Sequence, residues 1–285
     1  MQCNILAIIP AYNEEKIIHY PVLSLLNQKF NSQLNCNLNI AVIDDSSTDN
    51  TCNKVIEIKE KKKAENLTCI KLKFRPKYEV ANYAVARIVN FTVNRIGRNF
   101  KKPDYIMIIG ADTILKHDYT NNIITELEKF NAKHSETKAV AACGIIVNEP
   151  RGKLMPSGTG LIVLYEAFQK VGGLKPEPAE DTGLILRIIK EGWKILIVKN
   201  AKMYVLRPTG ERENIRRCYL QGLADEYFCT ALMYAYLKFL YKLLQGKIRC
   251  SVAYIKGYLM NIRYRNNEYC RVKRLLEYMR FIHRK

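Results

Sequence analysis

The stretch LNIAVIDDSSTDNT, residues 38–51, decides the fold of this chain. Its first half, Leu38–Ile43, is apolar except for Asn39, and its continuous run Ile40–Ile43 is typical of a strand buried on both faces of a parallel sheet. Its second half consists of short polar residues that can begin a helix near Cys52. The stretch therefore predicts a buried strand, a polar loop and then a helix.

The same strand-to-helix pattern recurs on both sides of this stretch. Further strands are predicted at Asn4–Ile9, Thr68–Lys73 and Tyr105–Ile109. Helices are predicted between or after them at Glu15–Gln28, Cys52–Lys63, Val80–Ile96 and Asp118–Asn131. This alternation predicts an α/β fold, a mostly parallel sheet flanked by helices and joined by right-handed crossovers.

Ligands of such sheets bind beyond the carboxyl ends of the strands. The segments that directly follow predicted strands are Pro10–Glu15, Asp44–Thr51 and Gly110–Thr113. Polar and acidic side chains are concentrated in these three segments, so we expect the functional site there.

The second half of the chain is less regular. It predicts a strand at Leu161–Leu164, a helix at Glu166–Val171 that the Gly172-Gly173 pair ends, and a helix at Glu180–Glu191. Two strands are predicted at Trp193–Val198 and Met203–Leu206, and the pattern turns helical and Tyr-rich from Ile215.

The charge is large and uneven. The chain has 285 residues and a formal net charge of +19, and residues 212–285 contain 16 basic and 5 acidic side chains. We therefore expect two parts, an α/β domain over 1–211 and a basic helical tail over 212–285. The excess of positive charge favours a negatively charged partner such as a phosphate, a nucleic acid or an anionic membrane face.

The cysteines and the apolar runs bear on the compartment. Nine cysteines are scattered without a CxxC pair, so neither a metal site nor a secreted disulfide framework is expected, and we interpret them as mostly reduced. No stretch of about 18 uncharged apolar residues occurs, and a signal peptide is not evident. These features predict a cytoplasmic protein, with the inner face of the membrane as a further location.

Three groups of carboxylates are candidates for chemistry. Asp44 and Asp45 are adjacent at a strand end, where they can accept hydrogen bonds from a base or a sugar, whereas Asp49 is interpreted as a helix cap. Asp112 can hold a hard divalent cation whose other ligands are diphosphate oxygens and water. Glu180 and Asp181 open a helix, where a carboxylate favours the helix dipole but can also serve as a general base.

Together these segments resemble a family 2 glycosyltransferase of the GT-A fold, a Rossmann-like fold. Pro10-Ala11-Tyr12-Asn13-Glu14-Glu15 is similar to the family's P-x-Y-N-E, and residues 42–51 are similar to its V-[VI]-D-D-[GS]-S-x-D-x-T. Gly110-Ala111-Asp112 lies where its D-x-D lies, residues 167–174 resemble its V-G-G-F element, and residues 180–187 resemble its E-D-x-x-L-x-x-R helix. The resemblance spans residues 5–190 and does not cover the tail.

The resemblance implies an inverting transfer of a sugar from a UDP- or GDP-linked donor. The donor-binding residues would be Pro10, Ala11, Tyr12, Glu14, Asp44, Asp45, Ala111 and Asp112. Asp112 would hold Mg²⁺ or Mn²⁺ on the diphosphate, and Asp181 would deprotonate the acceptor hydroxyl.

Two departures from the family pattern qualify this prediction. Gly110 replaces the first Asp of D-x-D, which places ribose contact and metal affinity in question. The Q-x-x-R-W motif of processive enzymes is absent, and Arg216-Arg217-Cys218-Tyr219-Leu220-Gln221-Gly222 has a comparable place, which favours a single-addition enzyme.

Weaker candidates surround this core set. Glu180, Arg216 and Arg217 are assigned to phosphate or acceptor binding, and Arg207 and Arg212 are further candidates for a diphosphate clamp, with solvated helix charge as the alternative. Lys153–Gly160 is either a mobile loop over the substrates or a plain connection. Arg75–Asn82 is either near the donor or a capping segment.

The composition of the tail bears on where the acceptor is bound. Residues 227–244 and 252–264 mix Tyr, Leu, Lys and Arg, which suits helices at a membrane interface, although helices packed on the catalytic domain with a solvated basic face are equally favoured. Peripheral membrane association would point to a polyprenyl-phosphate acceptor, and a soluble glycan or protein acceptor is the competing prediction.

Two alternatives from other classes stay open. A nucleic-acid-binding protein is motivated by the charge but disfavoured by the absence of a known motif. A degenerate protein that binds sugar nucleotides without turnover is suggested by Gly110.

Overall fold

A computed structural model of the chain describes residues 2–32, 34–76, 81–96, 100–134, 136–149, 156–207, 215–260 and 282–284. Two of the predicted segments lie partly outside these ranges, namely Lys153–Gly160 and Arg75–Asn82. Arg212 lies outside them altogether.

The described residues form one mixed sheet. Its strands are β1 (Gln2–Ala11), β2 (Asn35–Asp44), β3 (Leu67–Lys71), β4 (Tyr105–Ile108), β5 (Thr113–Leu115), β6 (Ala139–Ile146), β7 (Leu161–Leu164), β8 (Lys194–Val205) and β9 (Ile282–Arg284). The order across the sheet is β3-β2-β1-β4-β7-β6-β8-β5, and β9 pairs with β8.

The helices alternate with these strands in the first half of the chain and follow one another in the tail. They are α1 (His19–Leu26), α2 (Thr51–Lys62), α3 (Ala81–Val93), α4 (Tyr119–Lys133), α5 (Tyr165–Lys170), α6 (Glu180–Lys190), α7 (Ile215–Tyr227), α8 (Leu232–Leu244) and α9 (Ile248–Met260).

The predicted α/β fold with a mostly parallel sheet is confirmed. β1, β2, β3 and β4 pair in parallel, whereas β7 is antiparallel to both of its neighbours. The two strands predicted within residues 193–206 form a single strand, β8, whose pairing with β6 shifts register between Ile197 and Lys202. The sequence did not predict β5, β6 or β9.

Two apolar layers bury the sheet. Ile5, Ala7 and Ile9 of β1 face a core that includes α1 and α4 residues, and Leu6 and Ile8 face the core on the other side. Successive side chains of a strand point to opposite faces, so a continuous apolar run is what a strand covered on both faces requires.

The cysteine prediction is wrong. Cys3 pairs with Cys36 and Cys52 with Cys69 in disulfides, and Cys229 is disulfide-bonded as well. The spacing of cysteines along the chain did not indicate this pairing, because the adjacent parallel strands β1 and β2 set Cys3 opposite Cys36. A reduced compartment therefore cannot be argued from these cysteines.

The helical tail has a small core of its own. α7 and α9 pack closely, and a Cβ atom on Gly222 would lie 2.0 Å from the carbonyl oxygen of Tyr254, so this crossing requires glycine. Cys218, Ala235, Tyr254 and Tyr258 are buried there. Among the described residues, no helix is both long and apolar enough to cross a membrane.

Candidate active site

The carboxyl ends of β1, β2 and β4 bring the predicted segments to one edge of the sheet. Ala11 is in register with Asp44, and the backbone N–H of Asp45 donates to the carbonyl oxygen of Ala11 at 2.8 Å. On the other side of β1, the N–H of Ile109 donates to the carbonyl of Ile8 at 3.1 Å. Register alone therefore places Pro10–Glu14, Asp44–Asp45 and Gly110–Asp112 side by side.

Asp44 organises the loop after β2. It is fully buried, and its Oδ1 accepts the backbone N–H of Ser47 at 2.7 Å. Ser47 Oγ in turn accepts the N–H of Asn13 at 2.9 Å, which ties the β1 and β2 loops together. The other carboxylate oxygen of Asp44, Oδ2, is buried without a hydrogen-bond partner among the described residues.

Asp45 lies in a basic and aromatic setting. Arg87 Nη2 donates to Asp45 Oδ1 at 2.7 Å, and Arg75 Nη1 is 3.4 Å from Oδ2. The guanidinium of Arg75 also stacks 3.6 Å from the centre of the Tyr12 ring, which is 40% exposed. An open aromatic face beside a buried, ion-paired carboxylate is a surface on which a planar base can stack.

Asp49 supports the start of α2. Its Oδ1 accepts the N–H of Thr51 at 3.0 Å, and its Oδ2 accepts the N–H of Glu15 at 3.1 Å. Partial burial acts in the opposite direction, but the hydrogen bonds from Thr51 and Glu15 lower the pKa of Asp49. Asp49 thus binds the first N–H of α2, but the residue at the N-cap position is Asn50.

Arg207 joins two of the predicted site carboxylates. Its Nη2 donates to Glu14 Oε1 at 2.5 Å, and its Nε donates to Asp112 Oδ2 at 3.3 Å. Arg207 ends the described segment after β8, so the contact connects the first strand, the fourth strand and the chain that leads to the tail. Asp112 is buried and Arg207 is exposed, so the pair marks the border between the sheet edge and solvent.

A second group of predicted residues lines a cleft next to this border. The cleft has a volume of about 190 Å³, and its lining includes Pro10, Gly110, Gly158, Glu180 and Asp181. Apolar residues of β4, α3 and α6 form the remaining wall. The structure thus brings the third carboxylate group to the same sheet edge as the first two.

Gly158 allows Asp181 to lie where it does. A Cβ atom on residue 158 would be 2.3 Å from Asp181 Oδ2, so any larger residue would displace that carboxylate. The neighbouring Thr159 anchors the loop, because its Oγ accepts the N–H of Gly110 at 2.8 Å and lies 2.7 Å from Thr113 Oγ.

The surroundings of Glu180 change the pKa of its carboxyl group. Burial of its carboxyl group, together with the negative charges of Asp181 and Glu177, raises the pKa of Glu180 to about 8. At neutral pH the Glu180 carboxyl is therefore largely protonated and can donate a hydrogen bond, which an ionised carboxylate cannot.

The end of α6 fixes the two acids at its start. Arg187 is buried, donates to Glu177 at 2.9 Å and 3.1 Å, and donates to the carbonyl of Gly173 at 2.8 Å. The Arg of the E-D-x-x-L-x-x-R pattern thus holds the helix to the preceding loop. A buried ion pair of this kind positions an element because neither charge can be left alone in the interior.

The remaining predicted residues lie as follows. Ala11 and Ala111 are buried beside the strand ends. Arg216 and Arg217 lie in the first turn of α7, and their assignment to phosphate binding stays a prediction. Sequence reasoning missed Arg87 as a site residue and missed the contact of Gly158 with Asp181, because in both cases the partner is distant in the chain.

The site residues fit a divalent cation of the kind that nucleoside diphosphates carry. Within the described part of the chain, no group of three or more His, Cys, Asp or Glu side chains is placed to hold a metal. Mg²⁺, however, is usually bound by one or two carboxylates and takes its other ligands from substrate phosphates and water. Asp112 and Glu14 both contact Arg207, so two carboxylates lie at this border of the sheet edge.

A comparison with protein families matches residues 6–141 to the family described as glycosyl transferase family 2. This part of the chain is similar to that family. The match covers just under half of the chain and includes the strand ends with Asp44, Asp45 and Asp112. The expectation of a family 2 glycosyltransferase is confirmed.

Solved structures with a similar fold include two glycosyltransferase groups. A mannosyltransferase, PcManGT from Pyrobaculum calidifontis in complex with GDP-Man and Mn²⁺, aligns with a TM-score of 0.63 and 14% identity over 98% of this chain and 85% of its own. S. aureus TarS 1–349 in complex with UDP-GlcNAc aligns with a TM-score of 0.52 and 15% identity over 97% of this chain and 87% of its own.

These alignments confirm the predicted GT-A fold. Both neighbours are crystallised with nucleotide sugars. A comparison with curated proteins found no match.

Proposed function

We propose that this family 2 glycosyltransferase transfers a sugar with inversion from a UDP- or GDP-linked donor to an acceptor hydroxyl or a lipid phosphate. The observation that carries the proposal is the convergence of three carboxylate groups, Asp44-Asp45, Asp112 and Glu180-Asp181, at one edge of the sheet. The roles below are assigned from their positions along that edge.

The donor nucleoside lies against the β1 and β2 ends in this proposal. Tyr12, stacked on Arg75, offers a ring face, and Asp45 offers a carboxylate held by two arginines. Pro10 and Ala11 form the floor between this region and the cleft. GDP-mannose and UDP-GlcNAc are the first donors to test, because two proteins of similar fold bind them.

The diphosphate lies at the Glu14–Arg207–Asp112 border. A bound Mg²⁺ or Mn²⁺ would neutralise the charge that develops on the leaving diphosphate. Asp112 and Glu14 would hold it, and Arg207, freed from these carboxylates, would turn its guanidinium to phosphate oxygens.

The acceptor enters the cleft beside Asp181. The acceptor oxygen attacks the anomeric carbon, the bond from that carbon to the diphosphate oxygen breaks, and the diphosphate leaves with the bonding electrons. Asp181 takes the proton of an acceptor hydroxyl in this step. One displacement inverts the anomeric centre, and no covalent enzyme intermediate is formed.

The protonated Glu180 has a separate part in the proposal. It donates a hydrogen bond inside the cleft, either to the acceptor or to the diphosphate, and it keeps a second negative charge away from Asp181. In this proposal residues 1–211 form the catalytic domain and residues 212–285 form a tail. The tail associates with a membrane.

Release of nucleoside diphosphate tests the function. We expect the wild-type protein to release GDP or UDP from one donor faster in the presence of a suitable acceptor than without it. Tight donor binding with no release under any acceptor condition would instead support a degenerate, non-catalytic protein.

The Asp181→Asn variant then separates acceptor classes. A hydroxyl acceptor needs a base, whereas a lipid phosphate is largely ionised at pH 7 because its second pKa is about 6. Loss of transfer to hydroxyl acceptors with retention for phosphate acceptors would assign the acceptor class directly.

A further inference from the structure

Helix α8 lies on the protein with its polar side inward. Ala235 and Lys242 are its buried residues, and Lys238 Nζ donates to Asp225 Oδ2 at 2.8 Å. Lys242 Nζ lies 3.9 Å from the sulfur of the buried Cys218. Both lysines of the helix therefore face the rest of the tail, which is the opposite of the solvated basic face expected for a packing helix.

The outer side of α8 is apolar as a result. Met233, Leu237, Leu240 and Leu244 recur at helical spacing on this side, and Met233 and Leu244 are 75% and 88% exposed. Tyr236 and Tyr241 are exposed on the two flanks of the stripe. We call these six residues the outer stripe.

Helix α9 also exposes apolar side chains. Ile248 and Val252 are exposed on it, and Arg249 and Lys256 are exposed on the same helix. The sequences of α8 and α9 contain no acidic residue. Both helices thus present apolar side chains to solvent, and their charged residues are all positive.

We infer that the outer stripe is a docking surface for an anionic lipid bilayer. Apolar side chains enter the acyl boundary, tyrosines suit headgroup depth, and flanking lysines and arginines attract anionic headgroups. α8 is about 20 Å long, and no described helix is long and apolar enough to cross a membrane. The helix therefore lies in the plane of the interface.

The positive charge of this surface favours an anionic bilayer over a second copy of the chain as its partner. A symmetric dimer would place the same surface of both copies together, and Arg249 and Lys256 of one copy would then meet positive charges of the other. An anionic bilayer neutralises the same charges. The tail carries 16 basic side chains against 5 acidic ones, which adds long-range attraction of the same sign.

Vesicle flotation tests this inference without any donor, so its outcome is independent of the proposed transferase activity. The full-length protein is floated with vesicles of equimolar phosphatidylglycerol and phosphatidylcholine, and with vesicles of phosphatidylcholine alone. We expect it to float with the anionic vesicles, to float poorly with the neutral ones, and to dissociate as the salt concentration rises.

Two variants make the test specific to the outer stripe. The triple substitution Met233→Ser, Leu237→Ser and Leu244→Ser removes exposed apolar side chains, so it should lower vesicle binding at least about tenfold while leaving the melting temperature near wild type. Ile56→Ser, an exposed apolar position on α2, is the matched control and should float like wild type.

Two results would overturn the inference. One is absence of flotation with anionic vesicles. The other is equal flotation of the triple variant, which would place lipid binding elsewhere. A concentration-dependent dimer that the triple variant abolishes, without vesicle binding by the wild-type protein, would assign the stripe to a second copy and reject the bilayer.

Discussion

Arg207 Nε lies 3.3 Å from Asp112 Oδ2, although 95 residues separate the two in sequence. The same guanidinium also reaches Glu14. Arg207 therefore occupies the carboxylates that a cation on the donor diphosphate would use. In the proposed function, a metal-bound donor displaces this arginine from Asp112.

Substitution of Asp112 should weaken metal-assisted donor binding. We expect Asp112→Asn to lower the Mn²⁺-dependent part of donor affinity at least about tenfold, because the amide has lost the charge that holds a hard cation. Calorimetric titration with and without Mn²⁺ measures this, with Glu57→Gln on the surface of α2 as the control. Donor binding that is independent of metal in the wild-type protein would reject this role for Asp112.

Substitution of Asp181 should affect chemistry but not donor binding. For a hydroxyl acceptor we expect Asp181→Asn to lower the rate of transfer by about 10²–10⁴-fold, the range ascribed to a general base, while the donor Kd stays near wild type. Equal losses in transfer and in donor binding would contradict the assignment of the base.

Gly158 gives an independent test of the same carboxylate. A methyl group at residue 158 would collide with Asp181, so Gly158→Ala should lower transfer in the wild-type background. In the Asp181→Asn background the same substitution should have little further effect, because its target is already removed. Fully additive losses in this double-mutant cycle would show that Gly158 acts by another route.

Glu180 should make the stability of the fold depend on pH. Its pKa is about 8 in the folded protein, whereas the ordinary pKa of a glutamate is 4.5, so between these values the folded state binds more protons than the unfolded state. The free energy of unfolding should therefore fall as the pH rises through this window. Urea unfolding across the window should show a shallower decline in Glu180→Gln, and identical pH profiles for variant and wild type would be inconsistent with a protonated Glu180.

The Cys3–Cys36 disulfide should stabilise the pair of strands that carry Pro10–Ala11 and Asp44. It closes a loop with a sequence separation of 33, for which chain entropy predicts a loss of about 3–4 kcal/mol on removal. Cys3→Ser should lower the unfolding free energy by that order under oxidising conditions and have a much smaller effect under reducing ones. A count of free thiols in the denatured, unreduced protein checks the pairing directly, and nine free thiols would contradict it.

The sequence predicts the sheet edge well because backbone pairing alone places it. Strands β1, β2 and β4 each contain an apolar run that a polar segment follows, and parallel register then brings Ala11 beside Asp44. β5 and β6 were missed because Thr113–Leu115 is short and Ala139–Ile146 is rich in small residues.

Contacts between distant side chains were not predictable in the same way. Arg87 on Asp45, Gly158 against Asp181 and Cys3 against Cys36 depend on three-dimensional proximity that spacing does not encode. The orientation of α8 is a similar case. Its periodicity shows one apolar and one basic side, but only the position of Asp225 on α7 shows that the lysines face inward.

Calorimetric titration of GDP-mannose and UDP-GlcNAc, each with and without Mn²⁺, tests the central claim most directly. We expect one of the two donors to bind, and to bind more tightly with Mn²⁺, in a manner that Asp112→Asn weakens. Absence of binding by either sugar nucleotide or by free GDP and UDP, with the protein folded by circular dichroism, would contradict the claim that this sheet edge is a nucleotide-sugar site.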